Sequence, residues 1–136
     1  MIELYLSISE AISKVPGIKW VDMGQRVEGH TVVYPAAFVQ DIIFNPEETG
    51  NQQYYGEFTF TVIIYIKPYQ SSVAKPKLET ELAKSFEPVA AVRKAIYELD
   101  NETVQNTVWL RESIKVMGDG MYVVTQNWKG VAAVGM

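Results

Sequence analysis

The chain has 136 residues, 48% hydrophobic and 21% charged, which suits one folded domain spanning 1–136 rather than a disordered segment. It has no cysteine, so disulfides, thiolate metal sites and cysteine nucleophiles are excluded. A net charge of −4 lacks the basic footprint of a general nucleic-acid binder, and no apolar run reaches about 18 residues, so no membrane span is expected.

Residues 2–14 predict a helix. Tyr5, Ile8, Ile12 and Val15 recur at helical spacing, with Leu4 and Ala11 beside them, and Pro16-Gly17 stops the pattern. Glu3 and Glu10 interrupt the apolar residues and no basic leader precedes them, so the segment does not read as a signal peptide. Residues 18–21 predict a short strand with Trp20 as its anchor. Residues 22–35 read as a long connection with a short strand at 31–34.

Residues 36–44 alternate, with Phe38, Gln40, Ile42 and Phe44 on one face. Residues 45–56 read as a turn-rich tip. The stretch 57–67 carries the clearest signal in the chain: Phe58, Phe60, Val62, Ile64 and Ile66 alternate with Glu57, Thr59, Thr61, Ile63 and Tyr65. Pro68 ends it. Closing 36–67 as a hairpin sets Asn45 opposite Glu57, Phe44 opposite Phe58, Ile42 opposite Phe60, Phe38 opposite Ile64 and Asp41 opposite Thr61.

After a polar connection at 70–76, residues 78–99 predict a long helix. Leu78, Leu82, Phe86, Val89, Val92, Ile96 and Leu99 form its apolar stripe. Pro88 either kinks this helix or sits in the first turn of a second one capped by Ser85. The pattern at 107–130 predicts a hairpin around Gly118-Asp119-Gly120, with Val116 facing Tyr122, Ile114 facing Val124 and Leu110 facing Trp128. The fold class that follows is α+β: a mostly antiparallel sheet of four to five strands, with the N-terminal helix and the long central helix packed on one face.

Chemistry-bearing motifs are scarce. His30 is the single histidine and reads as an exposed loop residue rather than a ligand or base. Asp41 and Glu57 sit on strand-like segments but read as solvent-facing. The glycines of 118–120 lie within a hairpin pattern and open no helix, so they form no phosphate loop, and no GxSxG elbow occurs. Trp109, Tyr54, Tyr55, Tyr65 and Tyr69 could stack single-stranded nucleic acid. Against the acidic balance, they read better as part of a protein interface.

The order of segments resembles the tail-terminator, or tail-completion, proteins of long-tailed bacteriophages and prophages. The resemblance runs through the helix ending at Pro16-Gly17, the YPAAFVQDI segment from Tyr34, the FTFTVIIYI strand from Phe58, the ETELAKSFEPVAAVRKAIYEL helix from Glu79 and the closing hairpin. It is one of pattern over most of 1–131, with departures at Pro88 and at 22–35, and transfers no functional residue.

The resemblance implies a virion structural protein of the tail or neck, assembled in the bacterial host cytoplasm, non-enzymatic and without cofactor, metal or catalytic residues. Its partners would be further copies in a ring, commonly sixfold, the major tail tube protein and the head–tail connector, with no specific nucleic acid and no membrane. Another neck or minor structural protein, or an unrelated ligand-binding or enzymatic domain, are the alternatives.

The residues themselves suggest where such contacts would lie. Ile43, Ile63, Tyr65, Trp109, Met117, Met121 and Val123 fall on odd positions of the predicted strands, on the sheet face away from the helices. The connections at 46–55 and 70–76, with Tyr54, Tyr55 and Tyr69, are the expected second surface.

Overall fold

The computed structural model describes residues 1–24, 31–48, 53–67 and 75–135. Its elements are α1 (Ile2–Ser13), β1 (Trp20–Met23), β2 (Ala36–Glu48), β3 (Gln53–Ile66), α2 (Lys75–Tyr97), β4 (Val104–Val116) and β5 (Tyr122–Gly135). The strands form one sheet in the order β1-β2-β3-β5-β4. β1 and β2 run parallel and every other neighbour pair runs antiparallel. The fold is therefore α+β, with a mixed but mostly antiparallel sheet.

Both helices contribute to one hydrophobic cluster on one face of the sheet. The buried stripe of α1 is Leu4, Ile8 and Ile12, continued by Val15 and Ile18, while Tyr5 sits half-buried beside it. Gly17 follows Pro16 at a close approach: a Cβ there would lie 2.6 Å from Cγ of Pro88 on α2. Pro88 lies inside one continuous helix, which settles the alternative left open by the sequence. Its missing N–H leaves the Lys84 carbonyl without its usual helical donor.

β3 is the spine of the sheet. Its even-numbered residues from Phe58 to Ile66 are all buried. Burying these five side chains contributes on the order of 10 kcal/mol, an upper estimate because real unfolded chains already hide some apolar surface. Phe58 stacks on Phe60 with centroids 5.4 Å apart, and Phe60 stacks on the fully buried Trp128 of β5 at 6.3 Å. Val89, Val92 and Ile96 of α2 close the layer from above.

Several expectations are corrected by how the strands pair. The 31–34 segment forms no strand, and β1 spans Trp20–Met23 rather than 18–21. Trp20 pairs with Ala36 and stays half-buried on the face away from the helices, so Ile18 and Val21 are the residues that meet the core. The tip at 45–56 is shorter than expected, because β2 and β3 remain paired out to Glu48 and Tyr54.

The register of β2 on β3 holds at Phe44↔Phe58 and Asn45↔Glu57, then shifts. Gln40 pairs with Thr61 and Ile43 with Thr59, so Asp41 and Ile42 together oppose one residue. Asp41 has a φ of 54°, a left-handed conformation that Asp tolerates better than most side chains. The bulge reverses the parity of everything before it. Ala37 and Val39 enter the core, whereas Phe38, now opposite Ile63 rather than Ile64, points to the other face against Tyr65.

β4 carries two bulges of its own, between Gln105 and Val108 and between Trp109 and Arg111, the first with Asn106 at φ 53°. Val116↔Tyr122 and Ile114↔Val124 pair as expected, but Trp128 faces Trp109 instead of Leu110. The two reversals turn Thr107 and Trp109 toward the helices. The even face of β4 is also not covered as expected: Ile114 and Val116 remain 59% and 60% exposed. β4 is an edge strand, and the described part of α2 does not bury that end.

Candidate interaction surfaces

The sheet face opposite the helices is built from the odd residues of β3 and β5 and, through the bulge, from Phe38, Gln40 and Ile43 of β2. It has an apolar end and a polar middle. Phe38 and Tyr65 meet edge-on, with ring centroids 5.5 Å apart, and the registers set Ile63 and Val123 beside them. Further along, the Thr61 hydroxyl donates to Oδ1 of Asn127 at 3.1 Å, flanked by Thr59 and Thr125. Of the residues expected there, Ile43, Ile63, Tyr65 and Val123 do share this face. Trp109 does not, because of its bulge. Met121 is buried and Met117 half-buried where the chain turns between β4 and β5, so neither adds to an exposed platform.

The tyrosines of the expected second surface are not gathered. Tyr54 and Tyr55 lie on β3, adjacent and therefore on opposite faces, and Tyr55 donates its hydroxyl to Oε1 of Gln53. Tyr69 lies outside the described residues. Tyr55 and Tyr65 share a face but are ten residues apart on one strand, about 33 Å at 3.3 Å per residue. Trp109 is on the other side of the sheet. Among the described residues, Tyr54, Tyr55, Tyr65 and Trp109 therefore do not form a single stacking platform.

Where Trp109 turns inward it meets a polar cluster that the sequence did not reveal. The Arg93 guanidinium lies over its ring, 4.4 Å from the centroid, and donates from Nε and Nη2 to the two carboxylate oxygens of Glu112 at 3.3 and 2.8 Å. Glu112 Oε1 also accepts from Nε2 of the fully buried Gln126 at 2.8 Å, and Gln126 Oε1 accepts from the Trp128 indole. Next to it, Thr107 caps the end of α2 by donating to the Ile96 carbonyl at 2.7 Å. A groove of about 520 Å³ opens between α2 and β4 here, walled by Tyr97, Val108 and Trp109. The cluster fastens the edge strand to the helix. Among the described residues no buried side-chain polar atom, here or elsewhere, lacks a hydrogen-bond partner.

The sheet ends in two unequal edges. Among the described residues, β4 has β5 on one side and no strand on the other, and β2 beyond Val39 has only β3. Their exposed charges differ in sign. β4 presents Arg111 and Lys115, and this part of β2 presents Asp41 and Glu47. None of these four has an ion-pair partner among the described residues.

The candidate acid–base residues are scattered. His30 is outside the described residues. Asp41 sits in the bulge rather than opposite Thr61, Glu57 pairs with Asn45, and both are exposed. Among the described residues no group of three or more acidic or histidine side chains is placed to hold a metal. Likewise among them, no helix is long and apolar enough to cross a membrane. Tyr5 is raised above its ordinary value, chiefly by burial and then by the charge of Asp22, with a hydrogen bond to Ser9 opposing.

No protein-family profile matches this chain, and no curated protein matches it in sequence. Its fold is similar to that of a chain in the virion of a native gene transfer agent (GTA) particle, with a TM-score of 0.54 at 9% identity. The match covers 96% of this chain and 92% of that one, so the likeness is one of whole fold rather than of a shared fragment.

Proposed function

We propose that this protein is a non-enzymatic structural component of a phage-like virion, which assembles as a ring at the end of a tail tube and joins the tube to the head. The observation that carries the reading is the end-to-end fold likeness to a virion chain, at a level of identity where only architecture is shared. The physical features agree with an assembling subunit. Large apolar side chains stay exposed along β4, and the sheet ends in two unlike edges. Unlike edges permit a head-to-tail contact, and such a contact closes into a ring when its rotation divides a full turn.

In this reading the subunit acts by geometry. Copies of itself, the tail tube protein and the head–tail connector are its partners, and its place is the tail or neck of the particle. Free subunits stay dispersed until a tube end templates them, because several weak contacts closing together hold where one does not. Light scattering across a concentration series, with electron microscopy of purified tail tubes mixed with the protein, tests this. Rings on tube ends are expected. A protein that neither self-associates nor binds tube ends or connectors would refute the reading.

A further inference from the structure

We infer that the ring contact is an antiparallel strand pairing, in which the edge of β4 in one subunit docks on residues 40–47 of β2 in a second copy of the same chain. The inference rests on the ring reading above and names the surfaces that make it.

The topology supplies the direction. β2 runs with β5 and β4 runs against both. When copies are repeated around an axis lying along the strands, β4 of one therefore meets β2 of the next antiparallel, the slightly stronger of the two ladder types.

Side chains then select a register. Setting Arg111 opposite Glu47 brings Ser113 opposite Asn45 and Lys115 opposite Ile43. These residues lie on the sheet face away from the helices, where Arg111 of one edge meets Glu47 of the other. On the helix face the same register sets Ile114 opposite Phe44 and Val116 opposite Ile42. Ile114 and Val116 are 59% and 60% exposed in the subunit, while Phe44 and Ile42 are half-buried against the core. The contact extends one subunit's hydrophobic layer into the next and keeps odd residues with odd and even with even. A slip of one residue would put Ile114 among the charges.

The charge distribution also argues against the simplest competitor, a twofold pairing of β4 with itself. That arrangement would draw Arg111 and Lys115 toward their own copies, with no carboxylate on that face of the strand to offset them. Pro46 donates no ladder bond, which shortens the ladder on β2 and restrains indiscriminate pairing of that edge in free subunits.

The absence of native cysteine allows a direct test. The double variant Arg111→Cys/Glu47→Cys, assembled on tail tubes and oxidised, is expected to give a ladder of cross-linked oligomers on a denaturing gel. Either single variant is expected to give no ladder. Arg111→Glu and Glu47→Arg are each expected to raise the concentration for half-assembly by about tenfold, and their combination in one chain to restore it. Both positions are exposed, and an unchanged melting temperature will show that the fold is retained.

Assembly without a ladder from the double variant would overturn the pairing and leave the ring standing. Efficient dimers from Arg111→Cys alone would overturn it in favour of the twofold contact. Absence of any assembly by the unmodified protein would refute the ring reading itself, and the pairing with it.

Discussion

Replacing Glu112 with Ala isolates what the polar cluster contributes to holding β4 on the helix layer. The carboxylate accepts two hydrogen bonds from Arg93 and one from Gln126. The side chains of Arg93 and Glu112 are 30% and 17% exposed, so this pair is better shielded than an ordinary surface ion pair. Once freed, the guanidinium still reaches water and keeps its contact with Trp109, which limits the loss on that side to about 1–2 kcal/mol. Gln126 has no such escape. It is fully buried, and its Nε2 donor would retain only the Val89 carbonyl at 3.4 Å, while Oε1 keeps the Trp128 indole. Leaving a buried donor poorly satisfied costs about 1–3 kcal/mol.

The expected total is about 3 kcal/mol. With a urea dependence of about 2 kcal/mol/M, that lowers the unfolding midpoint by about 1.5 M without changing the slope. Measurements belong at low protein concentration, where self-association does not add to stability. The double variant Arg93→Ala/Glu112→Ala should lose less than the sum of the single variants, by more than about 1 kcal/mol. A loss below about 1 kcal/mol for Glu112→Ala, or strict additivity, would refute the view that the cluster fastens β4 to α2.

Other consequences are equally direct. Gly130→Ala should destabilise by about 1–3 kcal/mol in the same assay, because the new methyl would sit 2.7 Å from the buried Phe58 ring and 3.2 Å from the Gln105 carbonyl. Gly118→Ala meets nothing within 4 Å and serves as the near-neutral control. Asn106→Gly should keep the first β4 bulge at little cost, whereas Asn106→Val should lose about 1–2 kcal/mol by thermal unfolding, since a β-branched residue resists a φ of 53°. The tyrosine hydroxyl of Tyr5 is raised above 10.0, so the folded state holds its proton more tightly than the unfolded chain does. Stability linked to it is full below about pH 10 and falls as pH rises through the folded value. Tyr5→Phe should flatten that alkaline decline in denaturation midpoints measured across pH 9–11.

Much of the fold was legible in the sequence. The strict alternation from Phe58 to Ile66 fixed β3 and its buried face, because a strand's side chains must alternate and only one set can be apolar enough to pack. The stripe from Leu82 to Ile96 fixed the packed face of α2. Turn chemistry at Gly118-Asp119-Gly120 fixed the local register Val116↔Tyr122. The candidate surface was legible only in part. Ile43, Ile63, Tyr65 and Val123 lie on the predicted face, while Phe38 joins them there and Trp109 leaves it.

Those misplacements share a cause. Period-two reasoning assumes unbroken pairing, and a bulge at one residue reverses every face on one side of it. Asp41, Asn106 and Leu110 carry no strong mark in the sequence, since Asp, Asn and Leu occur in many settings. The left-handed backbone at Asp41 and Asn106 falls where the pairing of β2 on β3 and of β4 on β5 slips by one residue, a property of strand pairs rather than of either residue alone.

The same holds for exposure. Ile114 and Val116 read as core by pattern, yet burial depends on whether another element arrives to cover them. Nothing local in a strand records whether it will lie at the centre of a sheet or at its edge. The sequence by itself determined which segments become helix or strand, because period and turn chemistry act within a few residues. Tertiary structure alone decided which faces they turn outward and which edges stay open, because those follow from contacts between residues far apart in the chain.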